Sequence, residues 1–206
     1  MRQVIENYNT TERNIASVNV ALIDNGADSL SEYVTLLTGY KVRNIMFQDI
    51  KNCDLNDCQL IILSDGHSLN ASENIDEIEL IRNTSIPVIG ICYGFQVLCY
   101  AYGAKLVKLS QKREGLVKIT AKARHSIFQN KNDYTVSEKH RFGVQEIPET
   151  LVCLASSIDG CEIIQVQGKQ QFGFQFHPEN ISPQNEGMEI FNNLVRFILL
   201  NNTKHT

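Results

Sequence analysis

Through the first half of the chain, two kinds of hydrophobic pattern alternate. Strand-length segments rich in apolar residues lie at 18–23, 42–47, 59–64 and 88–91. Turn residues close two of them, Asp24-Asn25-Gly26 after the first and Asp65-Gly66 after the third. Residues 29–37 and 75–82 instead space their apolar positions for short helices, and a helix-like apolar run covers 97–104. Strands that are apolar without alternation and separated by helices are buried on both faces. This predicts a parallel sheet covered on each side, an α/β architecture. The second half changes character, with short strand candidates at 106–109, 116–121, 134–137, 151–156, 162–166 and 173–176 and few helices between them. These predict antiparallel additions to the sheet or a small side sheet. A closing helix follows over about 186–200, with Met188, Ile190, Phe191, Leu194, Phe197 and Ile198 on one side at a period near 3.6. The expected fold is a single α/β domain with a mostly parallel central sheet, flanking helices and a small antiparallel addition.

Composition narrows the function classes. A chain of 206 residues fills one core and is short for two. Residues 1–16 are polar and mixed in charge and read as a partly ordered leader, so the domain is expected over 17–206. An apolar share of 43%, a charged share of 20% and a net charge of −4 are ordinary for a soluble protein. No basic stripe points to a nucleic-acid partner. No apolar run is long enough for a membrane, and the leader lacks the apolar core of a secretory signal, so a cytoplasmic location is expected. Six cysteines are an even number, but without a secretory signal most read as small buried hydrophobes. There is no CxxC pair and the histidines are not spaced as zinc ligands, so no metal is expected.

One cysteine differs from the rest in its neighbours. Gly90-Ile91-Cys92-Tyr93-Gly94-Phe95-Gln96 follows an apolar strand and opens an apolar helix, which puts Cys92 at the apex of a strand-turn-helix. Glycines on either side let the backbone bend and the neighbouring elements approach, and a helix N-terminus favours the thiolate. His177 follows the strand candidate 173–176 and emerges at the same sheet edge. Pro178 stiffens the exit, and Glu179 can turn back to hydrogen-bond the imidazole. Nucleophile, base and orienting carboxylate complete the logic of a catalytic triad.

Those two segments, Gly90 to Gln96 and His177-Pro178-Glu179, resemble the signature of the class I, or triad, glutamine amidotransferases, over nearly the whole chain after Ser17. The resemblance implies a flavodoxin-like fold and hydrolysis of L-glutamine to glutamate and ammonia through a cysteine thioester, without a cofactor. It implies Cys92, His177 and Glu179 as catalytic residues and the backbone N–H groups of Gly66 and Tyr93 as the oxyanion hole. Asp65 and His67 stand where the family more usually has glycine and proline. Gln96 matches a glutamine that helps hold the substrate. The segment 138–144 resembles one that lies over bound glutamine in related synthetases, which implies substrate contacts for Arg141 and Phe142 beside Ser64. Arg141 suits a bidentate pair with the substrate α-carboxylate.

The chain has no Walker loop and no second domain for an ammonia acceptor, so the resemblance implies that its partner is a separate synthetase subunit. Cys92-Tyr93-Gly94 after Gly90-Ile91 is most similar to the glutaminase part of GMP synthetases, a role in purine biosynthesis. Two other classes stay open: a stand-alone γ-glutamyl hydrolase with the same triad, and a non-catalytic binding module in which Asp65 and His67 spoil the oxyanion loop.

Overall fold

A computed structural model describes residues 18–66 and 73–202. The expected leader, together with His67 and Ser68, lies outside the described residues. One sheet of nine strands organises the rest, in the order β2-β1-β3-β4-β9-β8-β6-β5-β7. Its parallel half holds β1 (Asn19–Asn25), β2 (Lys41–Met46), β3 (Leu60–Gly66), β4 (Val88–Ile91) and β9 (Gln171–Phe174). Alternate residues of these runs enter different cores. Val20, Leu22, Ile62, Ile89 and Phe174 pack on one face with Tyr33 and Leu36 of α1 (Leu30–Leu36) and Ile190, Phe191, Leu194 and Ile198 of α4 (Gly187–Asn202). Ala21, Ile23, Ile61, Leu63 and Val88 face the other way, onto Ile78 and Ile81 of α2 (Ile75–Asn83) and Phe95 and Leu98 of α3 (Tyr93–Ala101). Burial on both sides explains why these strands carry no polar alternation.

The expectation of a mostly parallel sheet with a small antiparallel addition needs correcting. Four strands, β5 (Leu106–Ala121), β6 (Asp133–Val144), β7 (Leu151–Ser157) and β8 (Gly160–Val166), pair antiparallel, and β8 joins β9 antiparallel as well. The extra pairing of β7 with β8 closes these four into a ring. The segments 106–109 and 116–121 are one strand, bulged between Lys108 and Arg113. Likewise 134–137 continues as strand through the polar stretch to Val144. No helix among the described residues is long and apolar enough to cross a membrane.

Strand order alone sets the site. β4 lies between β3 and β9, so its C-terminal end, at Cys92, is flanked by the turn after β3 and by the exit of β9 toward His177.

Candidate active site

Cys92 caps α3 with φ 50° and ψ −96°, a left-handed conformation that a side chain rarely adopts. The turn is held from both sides. Cys92 N–H donates to Phe174 O at 2.7 Å, and Gln96 N–H donates to Cys92 O at 3.1 Å. Its tightness requires the flanking glycines. A Cβ on Gly90 would lie 2.5 Å from Gly94 O, and one on Gly94 would lie 2.4 Å from Leu63 O. The helix can start directly above the sheet only because both side chains are absent.

His177 and Glu179 are buried and joined Nδ1 to Oε1 at 2.6 Å. The peptide of His177 is fixed as well, its N–H donating to Ser137 O at 2.8 Å and its carbonyl accepting from Asn185 at 2.9 Å. With Nδ1 committed, the buried Nε2 is left to the adjacent Cys92. Burial pushes the imidazole down, but the adjacent Cys92 and then Glu179 act the other way and hold it well above the usual histidine range. Burial raises Glu179, and its bond to His177 opposes that rise. Cys92 Sγ lies 3.8 Å from Lys139 O, and Gln175 Nε2 points at it from 3.9 Å. Gln175, two residues before His177, is a neighbour that sequence reasoning missed.

Cys92 and His177 open onto a cavity of about 380 Å³ whose lining includes Asp65, Gly66, Tyr93, Gln96, Arg141 and Phe142. The structure thus brings the proposed nucleophile, base, oxyanion donors and most of the expected substrate contacts to one cavity, and Glu179 stands behind His177. Ser64 does not line it. Its hydroxyl accepts from Asn25 N–H at 2.9 Å and donates to Asp65 O at 2.7 Å, so the side chain is used up in shaping the turn. Gln96 Nε2 reaches Phe142 O at 3.3 Å and Gln175 Oε1 at 3.4 Å. Lys139 and Asp28, also in the lining, pair at 2.7 Å.

Asp65, the departure from the family pattern, is neither turned out to solvent nor loose. Tyr33 Oη donates to its carboxylate at 2.8 Å and accepts its backbone N–H at 2.8 Å. Burial, with Glu179 and Asp65 nearby, lifts the Tyr33 hydroxyl well above the usual tyrosine range, which keeps it a donor. Asp65, His177 and Glu179 bring an oxygen, a nitrogen and an oxygen within 4.8 Å of one another.

Beneath this turn lies a second network built around Glu77, which is fully buried. Its carboxylate accepts from Asn25 at 3.0 Å and Asn74 at 2.7 Å. Asn25 also donates to Ser64 O at 3.2 Å, and Asn74 accepts from Tyr93 Oη at 2.6 Å. Tyr93 therefore rests on Glu77 through Asn74, and the turn that carries Gly66 rests on it through Asn25 and Ser64. Burial raises the Glu77 carboxyl to about 7, with the two asparagine bonds opposing. As pH rises from the ordinary carboxylate value toward 7, the unfolded chain gives up this proton while the fold keeps it. Stability then falls by about 3 kcal/mol across that window and stays low above it. Glu77→Gln should remove that portion of the slope. Denaturant midpoints at pH 5 and pH 8 test this, and parallel pH profiles for the two proteins would contradict it.

Comparisons with known proteins fit this geometry. The family model for glutamine amidotransferase class-I matches residues 21–197. The glutamine-hydrolysing GMP synthase subunit of Methanococcus vannielii is 37% identical over 138 residues, 66% of this chain and 71% of that one. For a counterpart in Methanococcus maripaludis the match covers only 63% of the relative. Anthranilate synthase component 2 of Thermococcus kodakarensis is 25% identical over 174 residues, 81% of this chain and 90% of that one. A crystal structure of a protein of the GMP synthase type from Thermoplasma acidophilum superposes with a TM-score of 0.78 at 23% identity, covering 92% of this chain and 98% of that one. The chain belongs to the class I glutamine amidotransferase family.

Proposed function

We propose that this chain is the glutaminase subunit of a two-subunit GMP synthetase, with Cys92, His177 and Glu179 as its triad. The observation that carries the reading is the strained Cys92 turn opening onto the same cavity as a buried His177 whose second nitrogen is bound to Glu179. The Cys92 thiolate attacks the side-chain carbonyl carbon of glutamine, and the developing oxyanion takes hydrogen bonds from the N–H groups of Gly66 and Tyr93, each worth about 3 kcal/mol. As the C–N bond breaks, imidazolium at His177 gives its proton to the leaving nitrogen and ammonia departs. Water then attacks the thioester with His177 as base, which releases glutamate and restores the Cys92 thiolate beside the His177 imidazolium. Glu179 keeps the ring turned so that Nε2 serves both steps. Arg141 and Phe142, on the cavity wall, hold the amino-acid end of the substrate with Gln96. Ser64 shapes the turn and makes no substrate contact.

The GMP synthase relatives motivate the choice of acceptor. The reading places both subunits in the cytoplasm. Ammonia release from glutamine, measured with the chain alone and after adding the cognate ATP-dependent synthetase, tests it. The expected result is a low rate alone that rises roughly ten-fold or more on docking, since partner binding completes such sites. Full activity alone on γ-glutamyl compounds would make the chain a hydrolase. An inert Cys92 with and without the partner would make it a binding module.

A further inference from the structure

Two of the cysteines outside the proposed triad meet. Cys153 on β7 and Cys161 on β8 place their sulfurs 2.7 Å apart, nearer than unbonded sulfurs pack and longer than the about 2.05 Å of a disulfide bond. Both are free thiols. We propose that Cys153 and Cys161 are a redox modification site, a thiol pair that a small-molecule disulfide converts to a reversible cross-strand bond, with Cys153 attacking and Cys161 resolving.

A regular ladder would keep these side chains apart. Ser156 pairs with Cys161 and Cys153 with Ile164. Residues three apart on a strand face opposite ways, so Cys161 would share a face with Ser156 and not with Cys153. Two register shifts change this, one between Cys153 and Ala155 and one between Ala155 and Ser156. They leave Leu154 on β7 and Glu162 on β8 without a partner in the β7–β8 ladder, and each extra residue reverses the alternation of its strand. Cys161 and Ile164 consequently enter the same core, with Cys153 packed against it, while Leu154, Ala155 and Ile163 enter the other. Both sulfurs converge on Ala155 O, Cys153 at 3.2 Å and Cys161 at 3.7 Å. The spacing of the two cysteines along the chain conceals the pair, because the bulges and not the sequence separation bring them together.

Exposure and hydrogen bonding divide the roles. Cys161 is buried, whereas Cys153 is partly exposed. The hydrogen bond from the Cys161 thiol lowers Cys153 below the ordinary thiol range against the effect of burial, and Lys122 assists. The same bond, with burial, raises Cys161. An accessible thiol with thiolate character beside a resolving partner is the arrangement that redox-sensing cysteines share. Cys99 on α3 is fully buried, and burial raises its thiol well above the ordinary range, so it stays out of the reaction.

Glutathione disulfide serves as the oxidant. The Cys153 thiolate attacks one of its sulfurs, the S–S bond breaks, and one glutathione leaves as thiolate. Cys161 then loses its proton and attacks the Cys153 sulfur, which forms the Cys153–Cys161 bond and expels the second glutathione. The protein pair loses two electrons and the small disulfide is reduced to two thiols. The new bond ties β7 to β8 where the shifts interrupt their ladder. Cys161 is also the residue through which β8 pairs with Val144, at the end of the strand that carries Lys139 to Phe142 along the cavity. Oxidation therefore braces the support of the cavity wall and leaves the cavity itself open.

The test incubates the reduced full chain with glutathione disulfide, alkylates the remaining thiols, and maps peptides without reductant after cleavage before Asp159, which separates the two cysteines. Wild type should give a linked Cys153–Cys161 peptide pair that dithiothreitol separates. Cys161→Ser should instead keep glutathione on Cys153, and Cys153→Ser should leave Cys161 unmodified. The wild-type map does not depend on either variant folding. In wild type, a Cys153 that keeps glutathione without closing, a link from either cysteine to Cys99, or two thiols that remain fully alkylated would each overturn the proposal. Glutathione on Cys161 in Cys153→Ser would overturn the division of roles.

Discussion

Replacing Cys92 with alanine should lower glutamine-dependent ammonia release by at least about 10⁴-fold while changing stability by only about 1 kcal/mol. The nucleophile supplies the bond that splits the reaction into two steps, and neither His177 nor the oxyanion donors can replace it. The stability cost is small because the side chain is a single buried sulfur and provides no hydrogen bond that caps α3. Backbone strain adds a second expectation. At φ 50° and ψ −96° any side chain is disfavoured, whereas glycine is not. Cys92→Gly should therefore be the more stable of the two inactive variants by about 1–2 kcal/mol, against the usual penalty for glycine at a helix start. Chemical denaturation beside an ammonia assay reads both quantities. Glutaminase activity surviving in Cys92→Ala would end the triad assignment, and a glycine variant weaker than the alanine one would end the account of strain.

Which of these features the sequence disclosed follows from how each is built. The parallel half was legible because strands buried on both faces must be apolar throughout, and helices with turn residues separate them. The antiparallel half was not. Most of β5 is exposed or half-buried, and its polar middle, from Ser110 to Gly115, breaks the apolar signal although the strand runs on. In β6 the charged run Glu138 to Arg141 reads as a loop, yet Glu138 and His140 point inward. Cys92, His177 and Glu179 could be proposed from the sequence because a turn, a cysteine, a histidine and a carboxylate fall in two compact segments, and the structure brings Cys92 and His177 to one cavity with Glu179 bonded to His177. Tyr33, Asn25, Asn74 and Glu77 were missed because they act through contacts with residues 19 to 52 positions away. A buried Glu77 inside a helix with charged neighbours carries no local sign of its role. The same limit applies to Asp65. Its identity pointed to a spoiled oxyanion loop, and only the bond to Tyr33 gives that carboxylate a fixed place at the cavity edge.

Gly94→Ala should cost about 3 kcal/mol or more and should depress activity further than the loss of folded protein explains. Two effects compete. Within α3 alanine is the better helix former by about 1 kcal/mol, so propensity alone predicts a gain. Against it, the new methyl would lie 2.4 Å from Leu63 O, 2.6 Å from Leu63 Cβ and 2.8 Å from Leu63 C. Most of these atoms belong to the backbone of β3, a central strand paired on both sides, and cannot swing away as a long side chain would. Relief requires α3 and β3 to separate, which opens a core lined by Ile61, Leu63, Phe95 and Leu98. The steric term is therefore the larger. Its direction matters for chemistry too. Leu63 leads directly into Ser64-Asp65-Gly66, so moving β3 carries Gly66 away from Tyr93 and Cys92 and misaligns the two proposed oxyanion donors, where small displacements cost large factors in rate. Thermal denaturation and ammonia release per folded molecule separate the two consequences. A Gly94→Ala protein that melts at or above the wild-type temperature would mean that propensity wins and that the close approach of α3 to β3 is not a constraint on the site.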